Sequence, residues 1–543
     1  MIRIGLAALL LVGGTPAVAP AASENPLIET VSIETGLDTD RDGVLDRVWA
    51  DIIRPRTAAK VPVVLEASPY HEGFEGSQAD PGAGPAFTME IRSHLAASRM
   101  VPRGYAFMRV QVPGTGRSTG CTDVGGPGDI GSMAEVISWL TGHGQAWTRG
   151  GEAVTASWSS GSVGMIGHSY DGSLAIGLAA AGVPGLKAIV PTSAISQWYG
   201  WSRTNGLVKS GRFDAMSAMA ALVAGPDARA RCQWKRDEIR AAEDSASGDM
   251  NEFWRDRDYL RDTGRFTAAV LTRTGQRDVI VPITQFTPLW EKLGARGVPR
   301  RAWITQADHE YVPGNGRYGD WFDLTDRWMD RWLRGEKNGV DREPAVDVQD
   351  VGEQNWVQQA CWPRSSRVRF FTGHPAAGRA PFQTAPVSGT YEVVPATGPQ
   401  QFFLVAGQDK PVRLFAAGPV LAEDTRISGI PAVTATVTPT TSSTPLSAYL
   451  VYFSDGDEYM RSLSTGVIDL KNRESLDTAV PLVPGQPATA RWELGAVDQV
   501  VPAGRRLGLV LVGNNYMGTQ DDPAAGPFSV NLAGTSISVP MAR

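Results

Sequence analysis

Histidine and cysteine are scarce in this 543-residue chain, with six of the first and three of the second. No Cys-x-x-Cys pair and no His-rich spacing occurs, which argues against a zinc site. Cys121, Cys232 and Cys361 allow at most one disulfide with one thiol left over, and spacing alone leaves the pairing open. Charged residues make up 20%, the net charge is -6, and no basic run occurs, so nucleic acid and anionic membrane are poor partners. Long apolar runs are also missing. The longest candidate, Ile4 to Val12, is too short to span a bilayer. No internal repeat, heptad seam or low-complexity tract is found.

Against these absences stand 60 Gly and 37 Pro, a composition of many turns rather than long helices. The first residues read as a secretory leader. Arg3 supplies the positive start, the apolar run follows, and Ala19-Pro20-Ala21 offers a small-residue cleavage site. The expectation is a signal peptide over 1–21 and a soluble, secreted mature protein.

The most informative stretch is Val163-Gly164-Met165-Ile166-Gly167-His168-Ser169-Tyr170-Asp171-Gly172. An apolar run enters Gly-x-Ser-x-x-Gly, and small residues of helical character follow. This is the strand–turn–helix setting of a nucleophile elbow, with Ser169 at its tip. The second glycine falls one place later than in Gly-x-Ser-x-Gly, with Asp171 in its usual place. A Gly/Ser turn is the bland alternative.

In such folds the order along the chain is nucleophile, acid, histidine. Only His309 and His374 follow Ser169. His309 closes an apolar run from Ala302, as a strand-end base should, whereas His374 lies in a turn of a different region. Between Ser169 and His309, the run Ala268–Thr272 passes through Gly275 to Asp278. An aspartate there can fix the tautomer of the base, or simply cap the following loop. Asp308 is less suitable, because adjacent residues of an extended chain point to opposite sides.

Together with Ser68-Pro69-Tyr70, Gly114-Thr115-Gly116-Arg117-Ser118-Thr119-Gly120-Cys121 and Ser193-Ala194-Ile195-Ser196-Gln197-Trp198-Tyr199, the elbow resembles the Xaa-Pro dipeptidyl-peptidase family. These are serine hydrolases of the α/β-hydrolase fold, related to cocaine esterase and the α-amino-acid ester hydrolases. Arg426–Pro431 and Pro502–Leu509 extend the resemblance to the family's jelly-roll domain. It implies Ser169, Asp278 and His309 as a triad, and Tyr70 with the backbone N–H of Tyr170 as oxyanion donors. A tetrahedral intermediate needs two such donors, each worth about 3 kcal/mol of barrier. One departure is Gln111-Val112-Pro113-Gly114-Thr115-Gly116, where esterase relatives often read Asp-x-Arg-Gly-x-Gly. The activity implied is release of Xaa-Pro dipeptides from peptide N-termini through an acyl-enzyme; an esterase or amide acylase is the alternative. Trp198, Tyr199 and Trp201 would wall the proline pocket or, alternatively, cement a cap to the core.

The expected architecture is α/β: an α/β-hydrolase domain over 25–340, a helical cap inserted at 197–262, and an all-β, jelly-roll, galactose-binding-like sandwich over 343–543. In the sandwich, runs such as Ala448–Phe453 alternate with period two between turns. In the last hydrolase helix, Leu324, Trp328 and Trp332 form a packing face. Separately, Asp38, Asp40, Asp42 and Asp46 flank Gly43 with carboxylates at every second position. That arrangement can hold a structural calcium ion or form a plain hairpin turn. No cofactor is expected for catalysis, and the partner expected is a peptide substrate.

Overall fold

The computed structural model describes residues 26–71, 95–209, 215–309, 317–350, 355–363, 365–375, 379–394, 404–405, 412–513, 522 and 524–542. The expected leader, 1–21, lies outside them. No helix among the described residues is long and apolar enough to cross a membrane.

The first half is built on one mixed sheet. Its strands are β1 (Leu27–Glu34), β2 (Arg47–Arg54), β3 (Val61–Ser68), β4 (Ala106–Gln111), β5 (Ala146–Thr148), β6 (Ser159–His168) and β7 (Leu186–Thr192), then, after a cap carrying the short hairpin β8 (Arg203–Thr204) and β9 (Leu207–Val208), β10 (Ala269–Gly275), β11 (Arg300–Thr305), β12 (Val346–Gln349) and β13 (Trp356–Gln359). The spatial order is β13-β12-β11-β10-β7-β6-β3-β4-β2-β1-β5. From β12 to β4 every pairing is parallel.

All eight residues of β3 are buried, because helices cover both faces of a parallel sheet and leave its strands no wet side. Alternate residues serve opposite layers. Val63, Leu65, Met108 and Val270 join helices Pro127–Leu140 and Tyr170–Ala181 on one face. Val64, Phe107, Leu271 and Trp303 meet Leu324 and Trp328 of helix Tyr318–Leu333 on the other, with Trp332 partly buried beside them. The cap follows β7 and holds five short helices, from Trp198–Ser202 to Glu252–Arg255.

The first sheet runs past the expected boundary. β12 and β13 lie beyond residue 343, yet they extend the hydrolase sheet through Ala302↔Val346 and Val346↔Gln359. The all-β half therefore begins only with β14 (Ser366–Thr372). Val-Asp-Val-Gln alternates like a sandwich strand, and no local signal reveals which sheet such a strand will join.

The remaining strands are β15 (Ala380–Gln383), β16 (Thr390–Val393), β17 (Arg413–Val420), β18 (Thr425–Gly429), β19 (Ala432–Pro439), β20 (Pro445–Phe453), β21 (Arg461–Asp469), β22 (Ala488–Glu493), β23 (Val497–Val501), β24 (Arg506–Gly513) and β25 (Phe528–Met541). They form a single twelve-stranded sheet, nearly closed on itself. Its core takes Leu446, Ala448 and Leu450 from β20, Val433, Ala435 and Val437 from β19, and Ile537 and Val539 from β25. The other face of β20 is buried as well, where Tyr449, Val451 and Phe453 pack on Phe415 and Val510. An apolar seam joins the two halves: Ile283, Phe286, Trp290 and Val348 against Trp362, Ile430 and Ala496.

Candidate active site

Ser169 sits between the last residue of β6 and the first of helix Tyr170–Ala181, at φ 59°, ψ -124°. A non-glycine residue there costs about 1–3 kcal/mol and persists only where its surroundings hold it. The surroundings do so. The Ser169 N–H donates to Thr192 O at 2.9 Å, and Ser169 O accepts from Ser173 N at 3.0 Å. The two glycines are steric necessities. A Cβ on Gly167 would lie 2.3 Å from the carbonyl carbon of Asp171, and one on Gly172 would lie 2.8 Å from both Gly167 O and Ala194 Cβ. The displaced second glycine thus marks where the helix presses on the strand.

His309 follows β11 and lies against the elbow, its ring 4.6 Å from that of His168. Its Nδ1 is 2.8 Å from Asp278 Oδ2. Asp278 is buried, and its Oδ1 accepts the N–H groups of Ile280 at 3.0 Å and Val281 at 2.7 Å. The loop-capping and His-orienting readings therefore hold together, one on each oxygen. Two main-chain bonds tie the two loops, Gln276 N to Thr305 O at 2.9 Å and Arg277 N to Ala307 O at 3.1 Å. Of the alternatives, Asp308 is exposed, and His374 is an exposed residue of the C-terminal half.

Tyr70 leaves the end of β3, the sheet neighbour of β6, and is half-buried. Its ring meets that of Tyr170 edge-on at 6.4 Å. The Tyr170 hydroxyl donates to Asp129 Oδ2 at 2.6 Å, and burial first, then the Asp129 charge, raises that phenol well above its ordinary pKa. The side chain is anchored away from chemistry. What Tyr170 offers the elbow is its backbone N–H, one of the donors that a helix leaves unbonded in its first turn.

The three aromatics expected in a pocket form a buried seam between core and cap. Trp198 packs on Tyr170 at 4.9 Å and donates its indole N–H to Tyr259 Oη at 3.0 Å. Trp201 donates to Ile280 O at 2.8 Å, two residues past Asp278. Tyr199 instead packs on Trp254 and donates to Gly248 O at 2.8 Å, so both its ring and its hydroxyl meet cap residues. Tyr199 also borders a cavity of about 570 Å³ where cap, hydrolase and C-terminal half meet, lined by Arg203, Gln285 and Arg491 and, among the described residues, by none of Ser169, Asp278 and His309.

Comparison with known proteins bears on this geometry. Residues 42–311 match the family model "X-Pro dipeptidyl-peptidase (S15 family)", and residues 338–540 match the "X-Pro dipeptidyl-peptidase C-terminal non-catalytic domain". A Streptomyces avermitilis protein provisionally named a Xaa-Pro dipeptidyl-peptidase is 35% identical over 99% of this chain and 88% of its own. The chain belongs to the X-Pro dipeptidyl-peptidase (S15) family. The Xaa-Pro dipeptidyl-peptidase of Lacticaseibacillus casei is 28% identical over 94% of this chain and 76% of its own. Among solved structures, a CocE/NonD family hydrolase from Staphylococcus aureus aligns with TM-score 0.71 at 15% identity, covering 95% of this chain and 94% of that one. An α-amino acid ester hydrolase aligns with TM-score 0.68 at 18% identity, covering 98% and 99%. These two speak for the fold alone: an α/β hydrolase followed by an all-β domain.

Within this S15 serine-hydrolase frame, several buried groups were missed by sequence reasoning. Glu66, two residues before the carboxyl end of β3, faces His71 Nε2 at 3.8 Å, and Arg109 Nη2 lies 2.9 Å from His71 Nδ1. A guanidinium only donates, so Nδ1 accepts and the ring proton sits on Nε2, toward Glu66. Gln111, at the departure noted above, donates to His71 O at 2.9 Å and accepts from Arg117 N at 2.8 Å. Together they clamp the residue after Tyr70. A carboxylate inside an apolar strand run was the available signal.

On the other side, Asp129 accepts from Gly125 N at 2.9 Å and Thr122 Oγ1 at 3.1 Å as well as from Tyr170. Burial, and then Asp123, push its carboxyl well up, to about 7. Cys121 and Cys232 form a disulfide between the Gly-rich turn and the cap, and Cys361 is free and exposed. In the aspartate loop, ligand oxygens of Asp38, Asp40 and Asp42 lie within 4.8 Å of one another. Asp46, expected as a fourth ligand, lies outside that group; its Oδ2 accepts from both Thr39 N and Thr39 Oγ1 at 2.6 Å.

Proposed function

We propose that this protein is an exported Xaa-Pro dipeptidyl-peptidase that works through an acyl-enzyme on Ser169. The observation that carries the mechanism is the 2.8 Å contact of Asp278 with His309 Nδ1 beside the elbow. With Nδ1–H donated to the carboxylate, Nε2 is left to accept the Ser169 proton. The Ser169 oxygen attacks the carbonyl carbon of the second substrate residue. Tyr70 Oη and the Tyr170 N–H donate to the oxyanion that forms, His309 protonates the leaving amine, and water then cleaves the ester. Preference for proline rests on family membership and on the names of the curated relatives. Trp198 and Trp201 touch Tyr170 and the loop of Asp278, and an apolar, shape-selective wall of that kind suits a proline ring. The esterase or acylase alternative shares the triad, but the curated relatives described above carry the Xaa-Pro dipeptidyl-peptidase name. Export rests on the leader pattern and on the Cys121–Cys232 disulfide, which belongs in an oxidising compartment.

The test is fluorophosphonate labelling of wild type and Ser169→Ala, followed by Xaa-Pro-anilide, proline-free anilide and simple ester substrates. Labelling lost in the variant, with turnover highest on Xaa-Pro, is expected. Labelling retained after Ser169→Ala would sink the mechanism, and faster turnover of esters would favour the alternative. N-terminal sequencing of the protein from culture medium should begin at Ala22.

A further inference from the structure

The aspartate loop between β1 and β2 plays no part in the reaction described above. Asp38 receives the N–H of Asp42 on Oδ1 at 3.1 Å and of Gly43 on Oδ2 at 3.0 Å, and Asp42 Oδ1 receives Val44 N at 2.8 Å. Those bonds shape the loop but call for no ligand. Asp40 does. Its residue is 6% exposed, its Oδ2 meets Arg231 Nε at 2.9 Å, and its Oδ1 has no hydrogen-bond partner among the described residues. A buried carboxylate oxygen left in that condition has lost its water without a replacement, which is costly for a charged group. Yet this carboxylate has oxygen from two others within 4.8 Å, where like charges add repulsion. The local cations leave most of that charge unbalanced. Arg41 turns its guanidinium onto the Trp234 ring at 4.0 Å and Glu238 at 2.9 Å, so among the described residues Arg231 is the cation that pairs with the cluster.

We propose that residues 38–46 bind one calcium ion through the carboxylates of Asp38, Asp40 and Asp42, with Asp46 and Thr39 as the backing layer. All donors are carboxylate oxygens, which excludes the soft and imidazole-seeking metals. A loop of mixed exposure turning at Gly43 (φ 88°) suits the irregular shell of calcium better than the rigid octahedron of magnesium. The ion would also seat the cap. The Thr39 hydroxyl accepts from Cys121 N at 2.8 Å, Cys121 is bonded to Cys232, and Arg231 comes from cap helix Pro226–Arg231. One cation would thus join the first hairpin, the Gly-rich turn and the cap.

The experiment uses the whole mature chain after chelation. Equilibrium dialysis against calcium should give one ion per chain, and thermal unfolding with and without excess calcium should show Tm higher by a few degrees with it. Asp40→Asn and Asp42→Ala should each weaken binding at least tenfold and remove the Tm shift. Asp42 is exposed, so its variant folds even where Asp40→Asn does not. No calcium bound by wild type up to ~10 mM, a range that covers the weakest extracellular sites, overturns the proposal. So does one ion bound with unchanged affinity by Asp42→Ala, or a magnesium shift as large as that of calcium.

Discussion

In the hydrolase half, buried charge gathers at the carboxyl ends of the strands: Glu66 with Arg109 and His71, Asp129 beneath Tyr170, Asp278 beside His309. In the C-terminal half the main core is apolar, and its best-connected buried carboxylate, Asp498, sits where the halves meet. Asp498 accepts from Trp362 Nε1 at 2.8 Å, Ser428 Oγ at 2.7 Å and Arg426 Nε at 2.8 Å. Its own main chain is held by one hydrolase side chain: Asp498 N–H donates to Gln276 Oε1 at 2.8 Å and Asp498 O accepts from Gln276 Nε2 at 3.1 Å. Gln276 is two residues before Asp278. Burial of polar groups is expensive wherever it occurs. On one side it surrounds Ser169 and His309, the groups proposed to react, and on the other it fixes the loop that carries Asp278.

The sharpest test of that contrast is Asp278→Asn. The amide still fills the site and can accept from Ile280 and Val281, but it no longer holds His309 in the required tautomer. A fall in kcat of about ten-thousandfold with little change in Tm is expected. A large loss of Tm with a small loss of kcat would return Asp278 to loop capping. Tyr70→Phe comes next. Only a hydroxyl is removed, so KM should hold and kcat should fall by about a hundredfold or more. An unchanged kcat would leave Tyr70 as a packing residue.

Gln276→Ala probes the junction itself. If the C-terminal half positions the acid loop, kcat should drop by about tenfold with KM nearly constant, since a small displacement near the triad is costly. If that half is glue only, the loss will appear in Tm and kcat will hold.

The elbow, the pairing of Asp278 with His309 and the two-part architecture were legible because each has a local signature: a Gly-x-Ser between strand and helix, apolar runs ending in a chemical residue, alternation between turns. Groups made by long-range pairing were not. Glu66 stands opposite Arg109 only because β3 pairs with β4 in that register. Asp123 lies in the stretch Thr122–Pro127 and Asp129 in the first turn of the helix that follows, and only the packing of Trp198 and Tyr259 onto Gly125 shows that this loop is buried. The assignment of β12 and β13 to the hydrolase sheet was hidden for the same reason. Trp198 and Tyr199 read as one aromatic cluster, yet they face different partners once wound on a short helix.

The smallest expected effect concerns Asp129, and it separates burial for function from burial for stability. Burial, followed by the nearby Asp123, raises its carboxyl from 3.8 to about 7. Between those values the folded chain holds a proton that the unfolded chain has released, so this group makes stability fall as pH rises through that window. Asp129→Asn removes the titration. The Tm of wild type minus that of Asp129→Asn should therefore decline from pH ~4 to pH ~7 and level off above it. Full activity of the variant with this slope present would confine Asp129 to the fold. A fall in kcat at constant KM would extend the reacting groups one layer deeper, through the Tyr170 hydroxyl to the N–H at the elbow. A difference in Tm independent of pH would mean that Asp129 is ionised across the whole range, its hydrogen bonds outweighing its burial.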